Sequence, residues 1–201
     1  MMRLLLAVMI VLSLAGCGDK VPPVAKLTAT DVVLAFGDSL TYGTGAKAED
    51  SYPVVLGQLI GRTVVRSGVP GEQTAGGLAR LAEVLDEHKP RLVIVCLGGN
   101  DMLRKGTPAN IEANLRKILQ EIKSRGLDAM LIGVPTPTLI TRPPDFYFNL
   151  AKEFAIPYEG DIITSVLYKS DLKSDPIHPN AAGYRKVAEA VAELMRDAGA
   201  L

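Results

Sequence analysis

A serine, a histidine and an aspartate of this chain have the types and the setting that nucleophilic catalysis requires. Ser39 follows a short apolar run, and His178 lies between two prolines, three residues after Asp175. A serine hydroxyl is a poor nucleophile until an adjacent base takes its proton, and histidine titrates in the range for that task. A nearby carboxylate can fix the histidine tautomer and stabilise the imidazolium. The alternative is that Asp175 only orders the loop before the last helix.

The second histidine of the chain is a weaker candidate for the base. His88 lies in the run Asp86-Glu87-His88-Lys89, at the charged end of a predicted helix. Charged residues of this kind are mostly exposed, so we expect His88 to be solvated. His178 is therefore the candidate general base.

Acyl transfer also needs hydrogen-bond donors aimed at the oxyanion that develops in the transition state. Removing one such donor typically costs about 3 kcal/mol of transition-state stabilisation. The candidates are the backbone N–H groups of Ser39 and Gly71 and the side-chain amide of Asn100. Glycine suits this role because backbone can then approach a substrate closely. Asn100 has an alternative role as the cap of a turn.

The elements that must position these residues alternate along the chain between apolar runs of strand length and longer segments of helical period. Repeated strand–helix units predict parallel strands with crossover helices, and continuously apolar strands predict a sheet covered on both faces. We therefore predict one three-layer α/β/α domain with a mainly parallel central sheet. Ligands of such sheets bind at the carboxyl ends of the strands. The predicted strands are Val32–Phe36, Thr63–Arg66, Leu92–Leu97 and Ala129–Val134, and the predicted helices are about Tyr52–Ile60, a segment with Leu78, Leu81, Ala82 and Leu85 on one face, Ile111–Ile122, Phe146–Phe154 and Asn180–Met195.

Four short blocks at these strand ends resemble those of the GDSL, or SGNH-hydrolase, family. They occur in the order that the family has, and they extend over nearly all of the chain after its first residues. The segment Leu78-Ala79-Arg80-Leu81 resembles the bacterial lysophospholipase, thioesterase and arylesterase branch in particular. The matching blocks are Gly37-Asp38-Ser39-Leu40, the segment around Gly71, Gly98-Gly99-Asn100-Asp101 and Asp175-x-x-His178-Pro179-Asn180.

The resemblance implies a flavodoxin-like α/β fold and a serine hydrolase that acts on esters or thioesters through an acyl-enzyme. It implies that Ser39 is the nucleophile, His178 the acid and base, and Asp175 the residue that orients His178. Ser39, Gly71 and Asn100 would form the oxyanion hole, and no metal or organic cofactor is implied. Relatives often carry Asn where this chain has Arg66, and Gly68 is an alternative to Gly71 as the oxyanion donor.

The first residues have the pattern of an export signal rather than of a folded domain. Arg3 precedes the apolar run Leu4–Leu12, which is too short to span a bilayer with any margin. Leu14-Ala15-Gly16-Cys17 resembles a bacterial lipobox, which implies lipidation of Cys17; the alternative is an ordinary secretory signal. We predict a signal peptide over 1–16, a lipid-anchored tether over 17–29 and the hydrolase domain over 30–201. The expected location is the bacterial cell envelope, with the lipid in a membrane and the domain outside the cytoplasm, on the periplasmic side if the bacterium is Gram-negative.

The composition limits the partners that we expect. Lys and Arg number 22, as do Asp and Glu, so the formal net charge is zero and no basic surface for nucleic acid is predicted. If Cys17 carries lipid, Cys96 has no partner for an internal disulfide and reads as a buried strand residue. We expect a monomer that binds a small ester, thioester or lipid substrate and the membrane.

Other functions remain open on the sequence alone. The segment Gly43-x-Gly45-x-x-Ala48 fits a dinucleotide fingerprint, which would indicate a nucleotide-binding module. That fingerprint should follow its strand immediately, and this segment starts too far from the strand that ends at Phe36. The preferred interpretation is that these glycines make the active-site loop mobile. A non-catalytic envelope lipoprotein and a carbohydrate O-acetyl esterase are further alternatives. Aryl esters, thioesters and lysophospholipids all remain possible substrates. Leu139 and Ile140 are candidates for lining an acyl pocket, while Phe146–Phe148 could be core or binding site.

Overall fold

The computed structural model of the protein describes residues 20–137 and 142–201. Five strands form a single sheet, and every strand pair in it is parallel. The strand order is β2-β1-β3-β4-β5, which is the order of the flavodoxin-like folds. The strands are β1 (Val32–Gly37), β2 (Thr63–Gly68), β3 (Leu92–Cys96), β4 (Asp128–Ile132) and β5 (Tyr158–Glu159).

The helices form two groups that cover the two faces of the sheet. One group packs α3 against α5 and α5 against α6, and the other packs α2 and α7 against α8. The prediction of a three-layer α/β/α domain is therefore confirmed. The helices are α1 (Ser39–Tyr42), α2 (Tyr52–Ile60), α3 (Thr74–His88), α4 (Gly99–Leu103), α5 (Pro108–Ser124), α6 (Asp145–Glu153), α7 (Ile162–Tyr168) and α8 (Ala181–Asp197), with short 3-10 turns at Ala48–Asp50 and Ser170–Leu172.

The central strands supply the middle of the core. All residues of β3 are buried, as are all those of β1 after Val32, because helices cover both faces of the sheet. Cys96 lies at the end of β3 with no exposed surface, as predicted, and burial raises the pKa of its thiol well above the usual range. It is an inert core residue rather than a nucleophile.

Some elements were missed or misplaced by the sequence pattern. The strand β5 has only two residues, and α1 and α4 have four and five, which is too short for a periodic signal. Ala82, predicted to face the core from α3, is exposed, whereas Leu81 and Leu85 on the same helix are buried. Small residues carry little hydrophobic signal, so their side of a helix is hard to assign.

The second half of the predicted tether packs on the domain. Leu27 is buried, and its N–H donates to the carbonyl of Ala200 at 2.8 Å. The N–H of Val24 donates to the carbonyl of Ala198 at 3.0 Å, and that of Ala25 to Asp128 Oδ2 at 3.0 Å. These contacts hold the segment against the end of α8 and the start of β4.

The predicted signal peptide and Cys17 lie outside the described residues. Within the part of the chain that the structure describes, no helix combines the length and the apolarity that crossing a bilayer requires.

Candidate active site

The candidate residues lie at the carboxyl edge of the sheet, each in the segment that follows a strand or precedes the last helix. Ser39 is the first residue of α1, directly after β1. Asn100 lies in α4, after β3, and Gly71 lies in the loop after β2. Asp175 and His178 lie in the loop before α8. Parallel strands end at the same edge, which explains why segments distant in sequence meet here.

Ser39, His178 and Asp175 form one continuous chain of hydrogen bonds. The distance from Ser39 Oγ to His178 Nε2 is 3.0 Å, and that from His178 Nδ1 to Asp175 Oδ2 is 2.7 Å. Because a carboxylate only accepts, Nδ1 carries the proton that it receives, and Nε2 is left to accept from the serine hydroxyl. This is the geometry of a nucleophile, a base and an orienting acid.

Asp175 is held by backbone as well as by His178. Its Oδ1 accepts from the N–H groups of Ile177 and His178, each at 2.9 Å. Partial burial acts to raise the pKa of Asp175, but the hydrogen bonds from His178 and Ile177 outweigh it, so the pKa lies below its usual range. The carboxylate is therefore ionised at neutral pH, as stabilisation of an imidazolium requires.

The loop that carries Asp175 and His178 is fixed at both sides. Ser174 donates its N–H to the carbonyl of His178 at 2.9 Å, and Asn180 caps α8 by accepting from the N–H of Gly183 at 3.0 Å. Gly45 lies against this loop: a Cβ added there would come within 2.0 Å of Ser174 Oγ and 2.7 Å of the carbonyl of Pro179. Its φ of +96° also favours glycine. The expectation that Gly43 and Gly45 loosen this region stays a prediction; the contacts show that Gly45 permits close packing against the His178 loop.

Asn100 lines the site and is engaged on both N–H bonds of its side chain. The amide donates to Asp38 Oδ2 at 3.2 Å and to the carbonyl of Glu72 at 3.0 Å. Asp38 is buried, and its Oδ1 accepts from the N–H of Leu40 at 3.0 Å. Burial raises the pKa of Asp38 to about 7, although the bonds from Leu40 and Asn100 act in the opposite direction. An oxyanion that accepts from the Asn100 amide would have to share an N–H with Asp38, which accepts the longer of the two hydrogen bonds.

The two glycines proposed as oxyanion donors have different surroundings. Gly68 ends β2 beside Gly37, and a Cβ there would lie 2.2 Å from the backbone nitrogen of Tyr42. Its role is to let β2 pack closely on α1. Gly71 has a φ of +78° in the following loop, and among the described residues its N–H has no hydrogen-bond acceptor. Gly71 is next to Glu72, the residue that Asn100 contacts, but it is not among the described residues that line the pocket.

Arg80 is a site-supporting residue to which the sequence analysis gave no role. Its guanidinium makes a bidentate pair with Glu72, with Nε–Oε1 at 2.8 Å and Nη2–Oε2 at 2.7 Å. It also donates to the carbonyls of Gly37 at 3.1 Å and Ser67 at 3.2 Å and lies 4.1 Å from the Phe36 ring centroid. Arg80 therefore joins the ends of β1 and β2 to the loop that carries Gly71 and contacts Asn100. The only signal in the sequence was an arginine directly before Leu81 of the predicted apolar face.

Arg66, where relatives often carry Asn, and Asp101 of the third matching block both have structural roles near the site. Arg66 lies over the Tyr42 ring at 4.8 Å and donates to the Tyr42 carbonyl, so it braces the end of α1. Asp101, next to Asn100, accepts from the N–H of Thr74 at 2.9 Å and from its hydroxyl at 2.6 Å. It thereby fixes the start of α3 to α4.

A depression opens beside the Ser39 hydroxyl. It has a polar side and an apolar side. The polar side contains Asp38, Ser39, Asn100 and His178, and the apolar side contains Leu40, Leu103, Val134, Pro135, Pro137, Leu167 and Ile177. Leu139 and Ile140, predicted to line an acyl pocket, lie outside the described residues.

The aromatic run Phe146–Phe148 is divided between core and surface. Phe146 and Tyr147 are buried, and the Tyr147 hydroxyl donates to the carbonyl of Leu97 at 2.8 Å. Phe148 is 53% exposed on the other side of α6. None of the three is among the described residues of the depression. Within residues 20–137 and 142–201, no group of three or more His, Cys, Asp or Glu side chains is arranged to hold a metal ion.

Comparisons with known proteins identify the family. A model of the GDSL-like Lipase/Acylhydrolase family matches residues 35–186. The chain is 33% identical over 179 residues to the thioesterase 1/protease 1/lysophospholipase L1 of Escherichia coli K12, covering 85% of this chain and 86% of that protein. It is 32% identical over 182 residues to an arylesterase of Vibrio mimicus, covering 84% and 90%.

Solved structures of similar proteins support the same family. The crystal structure of TesA is 27% identical with a TM-score of 0.74, covering 83% of this chain and 98% of that one. That of AlinE4, an SGNH-hydrolase family esterase, is 32% identical with a TM-score of 0.66, covering 86% and 98%. The protein therefore belongs to the GDSL-like lipase/acylhydrolase family and is an ester-hydrolysing enzyme.

Proposed function

We propose that Ser39 attacks the acyl carbon of carboxylic esters and thioesters, with His178 as base and acid and Asp175 as its orienting carboxylate. The observation that carries this proposal is the pair of distances, 3.0 Å from Ser39 Oγ to His178 Nε2 and 2.7 Å from His178 Nδ1 to Asp175 Oδ2. Both are hydrogen-bond distances in the resting site, so the proton path exists before substrate binds.

The reaction proceeds in two halves. As Ser39 Oγ bonds to the carbonyl carbon, its proton passes to Nε2 of His178, and the ionised Asp175 stabilises the imidazolium through Nδ1–H. Nε2 then gives the proton to the departing alcohol or thiol, which leaves an acyl-Ser39 ester. Water attacks this ester with its proton passing to Nε2, and the returning proton restores the Ser39 hydroxyl as the acid departs.

The oxyanion that forms in each half lies opposite His178 and next to the start of α1. We assign its donors as the N–H groups of Ser39 and Gly71 and the amide of Asn100. Support comes from the unengaged N–H of Gly71 among the described residues and from the position of Asn100 in the depression. Each donor contributes about 3 kcal/mol to the transition state.

The lining of the depression favours substrates with an apolar acyl or aryl group. Seven apolar residues line the depression beside the Ser39 hydroxyl, and ligand sites are typically lined by apolar side chains with a few polar groups. Relatives named thioesterase and arylesterase support the same substrate classes. We propose aryl esters and acyl thioesters of short to medium chain as the substrates.

The test uses the lipid-free domain starting at Gly18, which contains every described residue. Hydrolysis of p-nitrophenyl acetate, butyrate and octanoate and of an acyl thioester is measured for wild type, Ser39→Ala and Ser124→Ala. Ser124 is an exposed serine at the end of α5 and serves as the matched control. We expect Ser39→Ala to lose at least about 10⁴-fold in kcat and Ser124→Ala to equal wild type.

The result that contradicts this proposal is a wild-type rate no higher than that of Ser39→Ala on every ester and thioester. Release of acetate from an acetylated oligosaccharide by wild type alone would then establish the carbohydrate O-acetyl esterase as the function. Release from neither class would favour a non-catalytic envelope protein.

We further propose that the protein is a lipoprotein of the bacterial cell envelope, held to a membrane through Cys17. The support is the sequence Leu14-Ala15-Gly16-Cys17 after a short apolar run. Metabolic labelling with a palmitate analogue should mark the wild-type chain and leave Cys17→Ser unlabelled. Equal labelling of both chains would place the lipid elsewhere, and no labelling of either would leave an ordinary secretory signal.

A further inference from the structure

A second concave site, separate from the depression beside Ser39, lies between α6, α8 and the N-terminal segment. It is lined by Lys20–Pro22, by Phe148 and Lys152 of α6, by Tyr158 of β5 and by Leu194 of α8, and it shares no residue with the depression. The space inside it is about 370 Å³, which lies within the range of pockets that hold small organic ligands. This site is called the α6 groove below.

The groove opens at one edge of the sheet. Helix α6 packs on α5 in one helix layer, whereas α8 packs on α2 and α7 in the other. Strand β5 is the edge strand next to them and has only two residues, so little backbone covers the space between the two layers. The groove is therefore a gap between layers that the short strand leaves open.

The base and one wall of the groove are apolar. Phe148, Ala151 and Lys152 are spaced so that they share one face of α6. Ala151 and Ile156 are buried and form the base, and the small side chain of Ala151 leaves room above it. The Phe148 and Tyr158 rings meet edge to face, with 6.2 Å between their centroids, yet Phe148 is still 53% exposed. An apolar ligand would cover this exposed surface.

The charged groups of the groove are all positive. Lys20 comes from the N-terminal segment, which the Val24 hydrogen bond to Ala198 holds in place, and Lys152 comes from α6. Among the described residues neither ammonium group has an ion-pair or hydrogen-bond partner. No described aspartate or glutamate lines the groove. Two unpaired cations beside apolar surface are complementary to an anion that carries an apolar chain.

We propose that the α6 groove binds a medium-chain carboxylic acid, with its chain against Phe148 and Ile156 and its carboxylate between Lys20 and Lys152. Carboxylic acids are the products that an ester-hydrolysing enzyme releases, so a ligand of this class forms in the reaction itself. The groove is a binding site rather than a second catalytic centre, because no described serine, histidine or cysteine lines it.

A single tryptophan can report occupancy of the groove, because the chain contains none. The lipid-free domain carrying Phe148→Trp is titrated with decanoate below its micelle threshold, and Leu59→Trp, at an exposed position of α2, is the matched reporter outside the groove. Ser39 is first blocked with an organophosphate to keep decanoate out of the catalytic depression. We expect a saturable change in emission with one decanoate per chain from Phe148→Trp and none from Leu59→Trp.

Charge reversal tests the recognition of the carboxylate. Lys152→Glu is compared with Lys123→Glu, since each is the lysine in the last turn of its helix and only Lys152 lines the groove. In the Phe148→Trp background, Lys152→Glu should raise the Kd for decanoate at least about 10-fold, and Lys123→Glu should leave it unchanged. The Kd for decanol, which has the same chain without the charge, should change less than about threefold in Lys152→Glu.

Thermal unfolding gives a readout without a reporter. A ligand that binds only the folded domain raises the midpoint of unfolding, so decanoate should raise the Tm of the blocked wild-type domain and have little effect on Lys152→Glu. Failure of the organophosphate to modify Ser39 would count against the proposed nucleophile alone, because the reporter lies in the groove.

Three results would overturn the proposal. One is the absence of a saturable signal from Phe148→Trp, and another is equal affinity for decanoate and for decyltrimethylammonium, which carries the opposite charge. The third is a dimer in sedimentation experiments that Lys152→Glu dissociates and that excludes decanoate, since it would assign the groove to a second copy of the chain.

Discussion

Asp38 and Asn100 form the part of the site in which charge and geometry are most closely connected. Asp38 is almost fully buried, and one of its oxygens accepts from the amide that we assign to the oxyanion hole. When Asp38 is ionised it competes with the oxyanion for that amide, and when it is neutral it competes less. The state of this carboxyl group therefore affects both the stability of the fold and the readiness of Asn100.

The raised pKa of Asp38 predicts a specific dependence of stability on pH. The folded-state pKa of Asp38 is about 7, against an ordinary value of 3.8 for an aspartate side chain. Below about pH 4 both states are protonated, and between about pH 4 and 7 the unfolded chain ionises first. The free energy of unfolding of wild type should therefore fall, relative to Asp38→Asn, as pH rises through this window and stay level above it.

Urea denaturation of the two lipid-free domains from about pH 5 to pH 8 measures this difference. The variant Asp38→Asn keeps the shape of the side chain and cancels the contributions of every other titrating group. A difference that does not change with pH would show that Asp38 ionises in the folded protein as it does in solution.

The sequence pointed to candidate residues most directly where a rare residue type stood in a loop. Ser39, Asp175 and His178 were assigned before any geometry, and the structure brings all three together. The engagement of Asn100 by Asp38 and Glu72 was not foreseen. Contacts between side chains of different blocks depend on rotamers and loop paths, which a sequence pattern does not contain.

At the scale of elements, the guanidinium of Arg80 determines how the loop after β2 meets the loop after β3. It holds Glu72, whose carbonyl accepts from Asn100, while it also binds the carbonyls at the ends of β1 and β2. We therefore expect Arg80 to act on the reaction through Asn100, as a positioning residue.

Arg80→Lys should lower kcat by about 10- to 100-fold with a change of less than about threefold in KM, because lysine keeps the charge but loses the planar fork. The matched control is Arg116→Lys: Arg116 pairs with Glu112 and Glu153 on the outside of the domain. Salt bridges at the surface contribute little to the free energy of unfolding, so Arg116→Lys should keep wild-type kinetics and stability.

A double-mutant cycle separates positioning from general loss of structure. If Arg80 acts through Asn100, combining Arg80→Lys with Asn100→Ala should reduce kcat by less than the product of the two single effects. Strictly multiplicative effects would contradict the pathway through Glu72 and Asn100, even if each variant is impaired.

The close approach of the loop 43–45 to the His178 loop gives a second element-scale prediction. Gly45→Ala should destabilise the fold and lower kcat, because the added Cβ meets Ser174 and Pro179. Gly61 also has a positive φ, but the space around it is open. Gly61→Ala should therefore lower the free energy of unfolding by only about 1 kcal/mol and leave kcat unchanged. Thermal unfolding and steady-state kinetics of both variants test this, and equal kcat values would show that the loop contact has no catalytic role.

The longer elements were predictable and the shorter ones were not. The helix α2 has the bounds that the pattern predicted, and β1 and β3 differ by one residue. The strand β5 was missed because its two residues pair only with β4, a contact that no local pattern records. Pairing partners distant in sequence decide such edge strands.

At the scale of the whole molecule, the docked N-terminal segment shows where the domain begins. Leu27→Ala in the lipid-free domain should lower the free energy of unfolding by about 2–4 kcal/mol, because this side chain is buried in the core. Its exposed neighbour provides the control, and Lys26→Ala should change stability by less than about 0.5 kcal/mol. Urea denaturation measures both, and equal stabilities would mean that the segment adds nothing to the fold.

This docking could not be read from residues 18–29, which have no amphipathic period and contain Pro22 and Pro23. The segment is held by three backbone donors, the buried Leu27 and the partly buried Val24. The acceptors lie at Asp128 and at the end of α8, more than a hundred residues away in the chain. Only the folded domain brings them to the segment.

The burial of Cys96 provides a direct measure of folding in native buffer. In the domain starting at Gly18 it is the single thiol, and it lies at the end of the central strand β3 with no exposed surface. A thiol reagent can reach it only when the packing around this strand end has opened. With fast reclosing, the labelling rate divided by that of a free cysteine equals the population of this open state. Every variant described above can therefore be ranked for stability without denaturant, by the rate at which one sulfur atom reacts.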